Sequence, residues 1–138
     1  QIQESKKKLE LIIIVSSTKF PTCKVASDQP YREFDLAIDF CEDVPALLLK
    51  DVQEIVKIYE KYGATAKISS IHVNGWFGDF DKLKMTQLFA KEVLKYNLED
   101  NMDKILFVGD SPNDQPMFEH FKISVGVANI VKFSDLIT

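Results

Sequence analysis

The sequence predicts a mixed α/β chain in two parts. The first part is of α+β type, and the second alternates helix and strand as a doubly wound parallel sheet does. Three observations predict it. The apolar run Ile105-Leu106-Phe107-Val108 stops abruptly at Gly109-Asp110-Ser111-Pro112-Asn113-Asp114. That pattern is a buried parallel strand handing two carboxylates to a tight turn. From Lys82 onward the order is helix, strand, helix, strand, whereas strands and helices before it follow no such alternation. The stretch Gly75-Trp76-Phe77-Gly78 separates the two styles, so the parts are drawn at 1–77 and 78–138.

Residues 1–20 admit two readings. Glu4 to Glu10 is charged and helix-friendly, and Leu11 to Val15 is mostly β-branched. A single amphipathic helix stopping near Pro21 is preferred over a short helix running into a strand that ends at Ser16-Ser17-Thr18. Thr22 to Ser27 reads as a short strand, and residues 28–32 read as a loop. Phe34 to Phe40 alternates, with Phe34, Leu36, Ile38 and Phe40 apolar, while Asp35, Ala37 and Asp39 share the other face. Leu48 to Tyr62 places Leu48, Val52, Ile55, Val56 and Tyr59 at helical spacing, with Gly63 as the cap. Ala64 to Asn74 reads as one strand, and residues 75–81 as a glycine-hinged connection. Lys82 to Tyr96 reads as a helix. Strand 105–108, the Asp-bearing turn, helix 115–121 and strand 124–127 follow. Ala128-Asn129 is a loop before a last helix starting near Ser134.

Bulk properties narrow the function. The chain has 138 residues, 46% of them hydrophobic and 28% charged, as in an ordinary globular domain. A net charge of -4 argues against nucleic acid or an anionic membrane as the main partner, but not against a phosphorylated small molecule. The longest apolar run, Leu11 to Val15, falls far short of the roughly 20 residues that span a bilayer. Cys23 and Cys41 form no metal-ligand spacing, and His72 and His120 lie far apart, so a zinc site has no sequence support. Two buried free thiols in a reducing cytoplasm are expected. The chain opens on Gln1 rather than Met, compatible with a missing start.

The chemistry sits at the Gly109 to Asp114 turn. Ligands of open α/β sheets bind off the carboxyl ends of strands. Two carboxylates there suit Mg²⁺, a hard cation that takes one or two carboxylates with waters and substrate phosphate. The string as a whole resembles the fourth motif of the haloacid dehalogenase superfamily of phosphohydrolases. The resemblance implies that Asp110 and Asp114 hold Mg²⁺, with Ser111 and Asn113 contributing to the same turn. It implies that Lys82, at the start of the preceding helix, is the ammonium of the third motif, neutralising nucleophile and phosphoryl oxygens. From about Ala26 onward the likeness continues: residues 26–39 resemble the cap of a subgroup akin to sucrose-phosphate, trehalose-phosphate and mannosyl-phosphoglycerate phosphatases, and residues 70–78 resemble its cap-to-core return. That implies an α+β cap beside the C-terminal half of a Rossmann-like core, and a sugar phosphate or similar metabolite as substrate. Tyr31, Arg32, His72, Asn74 and Trp76 are then candidates for reading its leaving group.

The family's nucleophile lies in an Asp-x-Asp motif on a first strand. Asp79-Phe80-Asp81 is the only Asp-x-Asp here, and it abuts Lys82 without an apolar strand before it. It reads as a loop that positions Lys82, and the nucleophile is expected outside this chain. Two functions from different classes follow: a Mg²⁺-dependent phosphatase represented by part of its length, or a non-catalytic binding module or remnant. A P-type transporter shares a similar turn but would need membrane spans. A sheet without its nucleophile strand would expose edges and apolar surface, which predicts instability, pairing into a dimer through that face, or the company of the missing segment.

Overall fold

In a computed structural model, residues 2–136 are described. The chain divides into two units, Gln1–Gly78 and Asp79–Thr138.

The first unit begins with helix α1, Ile2–Lys19. The helical reading of residues 11–18 is the one that forms, and the strand ending at Ser16-Ser17-Thr18 does not. A helix satisfies its own backbone, whereas a strand here would need a neighbouring ladder. Glu4 and Lys8 pair at 3.0 Å one turn apart, and Ile12 and Ser16 bury the same face. Strand β1 is only Lys24–Val25, shorter than the strand read at 22–27, and β2 is Asp35–Asp39. Helix α2, Leu49–Lys61, buries Val52, Ile55, Ile58 and Tyr59, so Ile58 replaces the expected Val56 in the core and Leu48 is exposed. Gly63 closes α2 at φ +80°, its N–H bonded to Glu60 O at 2.9 Å, as the sequence predicts. Glu54 joins the two helices by accepting from Lys57 at 2.6 Å and Lys19 at 2.9 Å, and these bonds lower its pKa to about 2.

The single strand read at Ala64–Asn74 is a hairpin of β3, Thr65–Ile68, and β4, His72–Trp76. Ser69 decides this. Its Oγ accepts from His72 N at 2.9 Å and donates to His72 O at 2.9 Å, turning the chain back on itself. Gly75 and Trp76 therefore lie in a strand, not in the connection. The four strands form an antiparallel sheet in the order β1-β2-β4-β3. Tyr59 of α2 lies flat on Gly75, and its hydroxyl donates to Leu36 O at 3.0 Å. Burial pushes the Tyr59 phenol well above its ordinary pKa. The opposite face of β2 and β4 carries Asp35, Ala37, Asp39, His72, Asn74 and Trp76 in register. It is not a solvated face throughout, since Asp39 is only 1% exposed.

The second unit comprises α3 (Lys82–Glu92), β5 (Leu106–Gly109), α4 (Gln115–His120) and β6 (Ile123–Gly126). β5 and β6 pair in parallel, as the helix–strand alternation predicts. α3 stops four residues before the expected Tyr96. Lys95 adopts φ 54°, and Tyr96 N bonds back to Ala90 O at 2.9 Å, which ends the helix. Residues Glu99–Lys104, Pro112–Asp114 and Ala128–Leu136 form 3₁₀ turns. The expected loop at 128–129 and the start of the last helix near Ser134 both fall in the third of these. The remainder of that helix, 137–138, lies outside the described residues.

The core of this unit is Met102, Met117 and Phe121, against which Leu83, Leu98, Ile105 and Phe107 pack. Phe107 meets Phe118 edge-on at 5.1 Å between ring centroids. The other face of β5 and β6 carries Leu106 beside Ile123 and Val108 beside Val125, each about half exposed. This is the apolar surface that the sequence predicts for such a sheet. Among the described residues, no helix is long and apolar enough to cross a membrane.

Candidate active site

β5 ends at Gly109, and the chain turns at once through Asp110 and Ser111 into a 3₁₀ turn leading to α4. Asp114 organises this turn. Its Oδ2 accepts from Asp110 N at 3.0 Å and from Ser111 N at 3.3 Å, while its Oδ1 accepts from Lys82 Nζ. Asp114 is 3% exposed, whereas the Lys82 side chain is 45% exposed. The ammonium therefore reaches from solvent to a buried carboxylate at the carboxyl edge of the parallel strands.

Asp110 is half-buried and held from both sides. Its Oδ2 accepts from Asn129 Nδ2 at 3.0 Å, and its Oδ1 lies 3.2 Å from Ser111 Oγ. Ser111 Oγ also lies 2.7 Å from Asn113 Oδ1, the shortest of its contacts. Lys82 takes its place through Asp81, which caps α3 by accepting from Lys84 N at 2.8 Å. Asp79 pairs with Lys84 Nζ at 2.5 Å and is almost fully exposed. The Asp79-Phe80-Asp81 segment is thus the lead-in to α3 and not the end of a strand.

The structure brings Lys82, Asp110, Ser111, Asn113 and Asp114 into one cluster. The candidates of the first unit fall apart into smaller groups. Arg32 holds Asp28 in a two-point pair, Asp35 at 2.6 Å and Asn74 at 3.4 Å. His72 instead bonds Glu42 at 2.8 Å, and Tyr31 is 91% exposed. Trp76 is half-buried in β4. An open groove of about 510 Å³ runs past Lys6, Glu10, Gln29, Tyr31 and Arg32. It includes two of the five candidates of this unit.

Sequence reasoning missed Asn129. The signal was available: parallel strands end on the same edge, so the residues just after β6 lie beside those just after β5. It also missed the demand on Gly109. A Cβ there would lie 2.8 Å from Asp114 Oδ2, 2.8 Å from Phe118 and 2.9 Å from Phe107. Gly109→Ala is expected to cost about 1–3 kcal/mol by overpacking, and to displace the Asp114 carboxylate. Urea unfolding checks the first, and an unchanged midpoint would contradict it.

A model of the haloacid dehalogenase-like hydrolase family matches residues 46–132. The chain belongs to this family. Among solved structures it is similar to a Thermoplasma acidophilum protein, with a TM-score of 0.54 and 24% identity over 95% of this chain and 52% of that one. It is also similar to a C-terminally truncated Plasmodium falciparum IMP-nucleotidase, with a TM-score of 0.55 and 14% identity over 98% of this chain and 39% of that one. Identities this low establish the shared fold. The chain spans about half the length of the first of these structures and less of the second. No curated protein matches it. Lys82, Asp110, Ser111, Asn113, Asp114 and Asn129 all lie within the matched residues.

Proposed function

We propose that this protein is a Mg²⁺-dependent phosphohydrolase acting on a small phosphorylated metabolite, with a sugar phosphate as the leading class. One observation carries the reading. A buried Asp114 ties the Lys82 ammonium to the same turn that presents Asp110, all at the carboxyl end of a parallel strand.

The donor set fits a hard cation. Asp114 already accepts from Lys82 and from two turn amides, so most of its lone-pair sites are in use. Asp110, half-buried, is the carboxylate placed to ligate directly, and Asp114 acts directly or through water. When bound, Mg²⁺ supplies charge neutralisation for phosphoryl oxygens. The chain's own residues do the rest. Lys82 stabilises negative charge that grows on the transferring group, Asn129 and Ser111 fix the Asp110 carboxylate, and the Gly109 turn holds them at one edge.

The proposed reaction passes through an aspartyl-phosphate. A carboxylate oxygen attacks phosphorus, the bond to the ester oxygen breaks as a second carboxylic acid of the same motif protonates that oxygen, and water then cleaves the acyl phosphate to inorganic phosphate and the free carboxylate. The nucleophilic carboxylate is assigned to a segment outside these 138 residues, because Asp79 and Asp81 serve α3 instead. The first unit is assigned as the cap, with Tyr31 and Arg32 as its candidates for recognising the substrate. The exposed Leu106, Val108, Ile123 and Val125 face favours a partner segment or a second copy over an isolated chain.

The test is hydrolysis of p-nitrophenyl phosphate and of a sugar phosphate and nucleoside monophosphate panel, with and without Mg²⁺. It compares the 138-residue chain with the longest reading frame that contains it. Activity is expected in the longer protein alone. Lys82→Met is expected to lower its kcat by about 10²–10³-fold, the usual effect of removing one transition-state charge donor. Turnover unaffected by Lys82→Met, or by omission of Mg²⁺, would overturn the reading. If no phosphoester is cleaved by either form, the binding-module reading replaces it.

A further inference from the structure

We propose that Asp39, Glu42 and His72 form a second divalent-cation site in the first unit, suited to Zn²⁺ and similar borderline ions. One atom from each of the three lies within 4.8 Å of the others. Ligands about 2.0–2.2 Å from a shared ion sit about 3–4 Å from one another, so the group needs only a small adjustment to close.

The fold builds this cluster from two elements and a turn. Asp39 and His72 are direct partners in the antiparallel register of β2 and β4, which sets their side chains beside each other on one face. Asp39 then closes the turn that follows it. Its Oδ1 accepts from Cys41 N at 2.9 Å and Glu42 N at 2.8 Å, and its Oδ2 accepts from Asp43 N at 2.8 Å. That turn swings Glu42 back until its Oε2 meets His72 Nε2 at 2.8 Å. Asp39 and His72 are 1% and 5% exposed, and Glu42 is exposed. Two ligands are therefore fixed within the fold while the third faces solvent and can admit the ion.

The lone pairs allow it. Oδ1 of Asp39 is fully used by two amides, and Oδ2 keeps one lone pair beyond its bond to Asp43. His72 Nε2 and Glu42 Oε2 now share a proton. An entering cation takes that place, and the proton moves to Nδ1 or is released to solvent. One imidazole with two carboxylates selects transition-type ions over Mg²⁺, whose ligands are oxygens. The site is thus chemically distinct from the Asp110 turn. His72 acts here as a ligand and not as a reader of substrate, and its partners are carboxylates, not His120 or a cysteine. A bound ion would tie the end of β2 to the start of β4.

The test is calorimetric titration of the metal-free protein with Zn²⁺, beside imidazole ¹⁵N spectra that report the His72 ring nitrogens. Binding at one ion per chain is expected, with a shift of the His72 Nε2 resonance. Glu42→Gln, at an exposed position that leaves the fold intact, is expected to weaken binding by about 100-fold, and His72→Ala to abolish it. Asp110→Asn is expected to leave Zn²⁺ binding unchanged. No binding by the wild-type chain would overturn the proposal. So would binding untouched by Glu42→Gln, or binding lost in Asp110→Asn, which would place the ion at the other turn.

Discussion

Alanine at Gly75 is expected to destabilise the first unit by about 3 kcal/mol or more. A Cβ there would fall 2.2 Å from Tyr59 Cδ1 and 2.3 Å from Cε1, far inside contact distance. The ring has nowhere to retreat. Tyr59 is fully buried, and its hydroxyl is bonded to Leu36 O at 3.0 Å. Moving the ring breaks that bond and leaves a buried hydroxyl without its partner, which adds about 1–3 kcal/mol. Trp76, the only tryptophan, follows Gly75 in β4 and reports unfolding of this sheet by fluorescence. In a Tyr59→Ala background the same Gly75→Ala change should cost much less, since the ring atoms that clash are gone. Equal costs in the two backgrounds would show that the Tyr59–Gly75 contact is not the cause.

Asp114 is the second position of large effect, and its two substitutions should separate structure from chemistry. Asp114→Ala removes the acceptor for the amides of Asp110 and Ser111 and the partner of Lys82. Lys82 is half-exposed and can return to water, so the loss comes mostly from the turn amides, about 3 kcal/mol. Asp114→Asn keeps one oxygen for those amides, but points an NH₂ at the ammonium, donor against donor. Stability should then fall by only about 1 kcal/mol while Mg²⁺-dependent turnover of the longer protein falls by about 10²–10³-fold. Activity retained in a well-folded Asp114→Asn would remove the turn from the proposed mechanism.

Much of the second unit was legible because its signals are local. An apolar run ending in Gly-Asp-Ser-Pro-Asn-Asp specifies a strand and a turn within ten residues, and Asp81 ahead of Lys82 supplies a helix cap. The end of α3 was not legible. Val93 to Tyr96 contains no glycine or proline, and the stop is made by Lys95 in a left-handed conformation that its sequence does not announce. The hairpin in 64–76 was missed for a related reason. The stretch between Ile68 and Val73 holds no glycine or proline to mark a turn, and the turn rests on one serine hydroxyl reaching three residues along the chain.

The sequence by itself determined the local grammar: α2 with its Gly63 cap, the parallel β5–turn–α4 unit, and Lys82 at the head of α3. Each rests on contacts within a few residues, where periodicity and turn chemistry suffice. Only the tertiary structure decided that residues 11–18 are helix, that Asp39 is buried beside His72, and that Asn129 reaches Asp110. Those outcomes depend on strand register and on which surfaces meet across tens of residues. Such pairings are chosen by the burial and hydrogen bonding of the whole unit, and no short window of sequence carries them.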